Sequence, residues 1–152
     1  MNNAVKKSEV EVVSFPSRRF NLPDLNDMGT WLIERLRERY SHLDDRGIFG
    51  WLRGLSASSQ DLFLRTDHAV IMAQIVHEGI SPIPTVYERF ALCEPEHEQE
   101  LLSLYDDLYR WGKNLGSKEI VVAEFSDVKK PQIMSRLGNA VVKERLIIKV
   151  AK

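Results

Sequence analysis

The apolar positions of this chain repeat first with a helical period, then with a strand period, then alternate between the two. From Leu22, LPDLNDMGTWLIERLRERY places Leu25, Met28, Leu32, Leu36 and Tyr40 at helical spacing, with Glu34, Arg35, Glu38 and Arg39 mostly on other faces. This predicts an amphipathic helix with Asp24 as its N-cap. Arg46–Gly54 gathers Ile48, Phe49, Trp51 and Leu52 into a short second helix; such a group more often fills a core than lines a cleft. SASSQ follows as a loop. Ahead of these, Met1–Ser8 is polar and expected to fray, and Glu9–Phe15 reads as a first strand closed by Pro16.

The period then drops to two. Asp61–Thr66 and Ala69–His77 form a hairpin around Asp67 and His68, and the second run is apolar on both faces, as in a central strand. After the loop GISPIP, TVYERFALC sets Val86, Glu88, Phe90 and Leu92 against Tyr87, Arg89, Ala91 and Cys93. Pro95 to Leu115 returns to the helical period through Leu101, Leu104, Tyr105, Leu108, Trp111 and Leu115, with Pro95 suited to the first turn and Gly116 to the C-terminal cap. Glu119–Phe125 is a short buried strand. Val128–Leu137 is a short helix capped by Asp127, and Ala140–Val142 with Leu146–Val150 make a closing strand or hairpin.

A length of 152 residues suits one domain. The 21 basic and 22 acidic residues nearly cancel, which argues against a nucleic-acid surface. One cysteine, Cys93, excludes an internal disulfide framework. No stretch has the length and apolarity of a membrane span or a leader, so a soluble cytoplasmic chain, unprocessed at its N-terminus, is expected.

Few residues offer chemistry. Glu88, or His77 with Glu78 at the end of the preceding strand, is the candidate general base. Cys93 lacks a recognisable activating arrangement. His42, His68, His77 and His97 are widely separated, Glu94 and His97 make a two-ligand pair at best, and no metal is expected.

The element order, with YRWGKNLGSKEIVV and SRLGNAVV in the C-terminal half, resembles the GNAT N-acetyltransferase superfamily over nearly the whole chain, compact bacteriophage-encoded members included. The resemblance implies a single-domain GNAT-like α/β fold over 9–152, a mixed central sheet flanked by helices, behind a flexible 1–8. It implies acetyl-CoA as cofactor, with Leu92, Cys93 and Glu94 at the cofactor-binding position and Glu88 and His77 as catalytic candidates. In active members a glycine-rich turn, Q/R-x-x-G-x-G/A, offers backbone N–H groups and a helix N-terminus to the pyrophosphate. Here that stretch is CEPEHEQELLS, which has no glycine and carries Glu94, Glu96, Glu98 and Glu100. Met134 stands four residues before Gly138, where many members place a proton-donating tyrosine. The expectation is therefore a GNAT-like protein with an atypical or lost acetyl-CoA site, not an efficient acetyltransferase. The alternative is a non-enzymatic phage virion or interaction protein that binds protein partners through the same fold, in the host cytoplasm or the virion.

Overall fold

The computed structural model describes residues 15–77, 79–122, 125–137, 140–142 and 146–150. Met1–Ser8, the strand expected over Glu9–Phe15 apart from Phe15 itself, Glu78 and Gly138 lie outside the described residues. The elements run β1 (Arg18–Arg19), α1 (Asp24–Arg39), α2 (Asp45–Ala57), β2 (Leu62–Arg65), β3 (Ala69–Val76), β4 (Thr85–Cys93), α3 (Glu98–Asn114), β5 (Glu119–Val122), α4 (Lys130–Arg136), β6 (Ala140–Val142) and β7 (Leu146–Lys149).

The strands form one mixed sheet in the order β1-β2-β3-β4-β5-β7-β6. Every pairing is antiparallel except β4 with β5, which α3 connects as a crossover. β3 is apolar on both faces because both are covered. Val70 and Met72 meet Leu32, Leu36, Ile48 and Leu52 of α1 and α2. Ala69, Ile71 and Ala73 meet Leu101, Leu104, Tyr105 and Leu108 of α3. Gly112 lets α3 close on β5: a Cβ there would stand 2.9 Å from Ile120 Cδ1.

Several boundaries differ from those the pattern predicts. Asp24 is the first residue of α1 rather than its cap, and Pro23 precedes it. Its carboxylate instead accepts from Arg18, Arg65 and the Asn21 N–H, tying the edge of the sheet to the start of α1. α2 runs on through Ser56 and Ala57, residues expected in the loop, and is capped by Asp44, which accepts from the Gly47 N–H at 2.8 Å. Within it Ile48 and Leu52 are fully buried and Trp51 packs edge-on against Phe90, while Phe49 is exposed. Pro95 lies ahead of α3, which begins at Glu98 after Glu96 takes a left-handed φ of 71°. β5 is described over Glu119–Val122, and Phe125 lies outside any strand.

Candidate functional site

The centre of the sheet is shaped by one inserted residue. Ala73 pairs with Glu88 and Met72 with Phe90, so Arg89 is left over as a bulge in β4. An extra residue inverts the alternation beyond it. Glu88 therefore shares a face with Ala91 and Cys93, toward α3, whereas Phe90 and Leu92 face α1 and α2. This corrects the strict alternation expected for TVYERFALC, which groups Glu88 with Phe90 and Leu92.

β4 and β5 pair over Val86–Glu88 and Ile120–Val122, and past the bulge Ala91 bridges Ser126. At that bridge the Ala91 N–H donates to Phe125 O (3.2 Å) and the Asp127 N–H to Ala91 O (2.9 Å). The Cys93 N–H donates to Asp127 Oδ2 (2.9 Å), and the Arg35 guanidinium grips both oxygens of the same carboxylate at 2.7 Å. Asp127 is thus a clamp between α1 and the end of β4, not the cap of α4. Lys129 opens α4, its N–H donating to Gln132 Oε1 (2.8 Å), with Pro131 in the first turn as expected.

Glu88 lies behind this bridge and is 1% exposed. The Tyr105 hydroxyl donates to its Oε1 at 2.7 Å and stands 3.0 Å from Ser126 Oγ, which accepts from the Val128 N–H at 3.3 Å. Glu88 Oε2 has no hydrogen-bond partner among the described residues. Burial pushes the carboxyl up to about 8; the Tyr105 hydrogen bond and the nearby Arg89 charge oppose this only partly. At neutral pH Glu88 is mainly a neutral acid. Burial and the adjacent Glu88 also hold the Tyr105 hydroxyl well above its ordinary range. A pocket of about 480 Å³, with Val122, Ser126, Val128, Lys129 and Ile133 in its wall, opens on the outer side of Ser126.

The other sequence candidates fall in separate places. His77 is exposed just past the end of β3, four residues on from the Ala73 that pairs with Glu88, roughly 13 Å at strand rise. Leu92 is fully buried on the α1 and α2 side. Cys93 is buried and its thiol is pushed up to about 12, by burial first and then by the Asp127 charge. The Glu94 N–H donates to His68 O (2.9 Å). Met134 packs half-buried against the α3-side core.

His68 and His97, far apart in sequence, meet at the start of α3. The Ala69–Cys93 pairing brings the residues before β3 and after β4 together, and the two rings stack with centroids 3.9 Å apart. Glu100 joins them: its Oε1 accepts from the His68 N–H (3.0 Å) and its Oε2 lies 2.9 Å from His97 Nδ1. Glu94 Oε2 lies 3.3 Å from His68 Nδ1. Although desolvated, the Glu100 carboxyl is held below its ordinary range, with the His68 N–H and His97 hydrogen-bonded to it.

A mixed sheet of this order with its crossover helix is also the fold of solved acetyltransferases. The fold is that of the GNAT acetyltransferases. An aminoglycoside acetyltransferase from an uncultured soil metagenomic sample shares 15% identity over 73% of this chain and 80% of its own, with a TM-score of 0.52. The aminoglycoside N-acetyltransferase AAC(6')-Iy, solved in complex with CoA, shares 17% identity over 80% of this chain and 82% of its own, with a TM-score of 0.51. A second soil metagenomic aminoglycoside acetyltransferase, solved with sisomicin, shares 12% identity over the same fractions, also with a TM-score of 0.51. No protein-family model and no curated protein sequence matches the chain. At these identities the GNAT likeness is one of fold. No helix among the described residues is long and apolar enough to cross a membrane.

Tyr105, Ser126, Asp127 and Arg35 were not expected as a group. Core spacing places Tyr105 inward, but only the bulge and the Ala91–Ser126 bridge aim Glu88 and Ser126 at its hydroxyl.

Proposed function

We propose that this chain is a GNAT-fold protein whose acetyl-CoA site is altered to the point that it is not an efficient acetyltransferase, and that the fold serves as a binding scaffold. The observation that carries this reading is the state of the backbone at the end of β4. The N–H groups of Ala91, Cys93 and Glu94 are taken by Phe125 O, the Asp127 carboxylate and His68 O. A cofactor held at Leu92, Cys93 and Glu94 would have to displace contacts the chain makes with itself, one of them backed by the Arg35–Asp127 ion pair.

The start of α3 favours the same reading. A pyrophosphate needs small residues and free N–H donors at a helix N-terminus. The turn here has no glycine and carries Glu94, Glu96, Glu98 and Glu100. Like charges about 4 Å apart oppose each other by roughly 1 kcal/mol in water and by more where desolvated. These residues do not fit the pyrophosphate of acetyl-CoA. Burial and the Tyr105 hydrogen bond favour Glu88 as a structural acid rather than a base, and His77 stands apart from it.

Thermal unfolding with and without 1 mM acetyl-CoA tests the reading, the millimolar level being about 100 times a ~10 µM dissociation constant. Binding at that ratio adds about 2.7 kcal/mol and raises the midpoint by roughly 5–10 °C. The expected shift is nil, with no release of free CoA thiol in the presence of primary amines. A shift of that size, or amine-dependent thiol release, overturns the proposal.

A further inference from the structure

We propose that His68, His97 and Glu100 bind a divalent transition-metal ion, zinc foremost, at the start of α3. Their ligand-capable atoms all lie within 4.8 Å of one another. Donor atoms around a tetrahedral zinc at about 2.0–2.1 Å sit about 3.3 Å apart. His97 Nδ1 and Glu100 Oε2, at 2.9 Å, already lie near that separation, so an ion replaces the proton between them with little movement. His68 stands on the β2–β3 turn; its ring, stacked on His97, has to rotate out of the stack and close by about 1–2 Å, a rearrangement open to a half-exposed side chain.

The neighbouring groups suit a cation. Glu100 Oε1 is fixed by the His68 N–H, which orients Oε2 toward His97. Glu94 stands against His68 Nδ1, a carboxylate–imidazole contact of the kind that orients a ligating ring. A cation at a helix N-terminus meets the positive end of the dipole, and here Glu94, Glu96 and Glu98 around that end oppose the penalty. Two imidazole nitrogens with one carboxylate oxygen select zinc, nickel or copper over magnesium or calcium, which take oxygen ligands. Three protein donors leave a fourth position for water or an anion.

The inference is independent of the acetyl-CoA reading, and its test contains no CoA. The tag-free full chain, stripped with a chelator, is titrated with Co²⁺ and followed by visible d–d absorption, then with Zn²⁺ in competition. The expected result is one equivalent of four-coordinate Co²⁺, displaced by one equivalent of Zn²⁺. His97→Asn keeps a residue favoured at the N-cap that His97 occupies, and His68→Asn keeps one suited to a turn. Each is expected to abolish the cobalt band in a folded chain. Glu94→Gln weakens binding about 10-fold, and His42→Ala and His77→Ala leave it unchanged. A wild-type chain with no cobalt band and no zinc-induced rise in its unfolding midpoint overturns the site. So does undiminished binding by the His68→Asn/His97→Asn double variant.

Discussion

Glu88 and Asp24 are both carboxyls buried against the same sheet, and the protein treats them in opposite ways. Glu88, 1% exposed at the centre, has a neutral tyrosine hydroxyl on one oxygen and is pushed up to about 8. Asp24, 6% exposed near the β1 edge, is held down to about 2, chiefly by the Arg18 fork, with the Asn21 N–H and Arg65 adding to it. Both have little contact with water, but Glu88 lies deep in the core, where desolvation dominates, and Asp24 lies close under the surface of the sheet edge. The partners widen the difference: a guanidinium offsets the cost of desolvating a charge, and a hydroxyl does so only in part. The sheet therefore carries fixed charge at its edge, where it ties β1 and β2 to α1, and a neutral acid at its centre.

The contrast is broken most severely at the edge. Asp24→Ala leaves Arg65, itself 6% exposed, with Asp27 as its one carboxylate partner among the described residues, and is expected to cost about 3–4 kcal/mol in chemical denaturation at pH 7. Glu88→Gln should act in the other direction. The folded-state pKa of Glu88 lies above its ordinary 4.5, so the folded chain holds an extra proton between pH 4.5 and about 8. Wild-type stability from this group is complete below 4.5 and falls as pH rises through that window, by about 1.4 kcal/mol per unit. Glu88→Gln is expected to be about 3 kcal/mol more stable than wild type at pH 7 and equal to it at pH 4. A pH-independent difference between the two would refute the neutral-acid assignment.

Asp24 has the opposite sign: its contribution is present above 3.8 and is lost as pH falls through about 2. In Asp24→Asn the acid limb of the pH–stability curve should flatten while the Glu88 limb persists. The smallest expected effect is that of Tyr105→Phe, which removes the donor from Glu88 Oε1. It should cost about 1 kcal/mol and move the Glu88 window to higher pH.

The elements with a strong period were legible in the sequence: α1, α3, the β2–β3 hairpin and the two-sided burial of β3 follow from where Leu, Ile and Val fall. The bulge was not, because V-Y-E-R-F-A-L-C fits either phase of a strand once one residue is inserted, and only the partner strand fixes where. Asp127 stood where a cap belongs, since capping and clamping call for the same residue type. Its partner Arg35 lies on α1, an ion pair that no local pattern contains. The meeting of His68 and His97 follows from the register Ala69↔Cys93, a property of two strands together. The absence of glycine after β4 was fully legible, being a matter of composition at one turn.

The order β5-β7-β6 has a consequence for the timing of assembly. β6 emerges from the ribosome before β7, yet it pairs with β7 and not with β5. β6 therefore joins the sheet only through β7. A chain without β7 would present β5 as an open edge to other nascent chains.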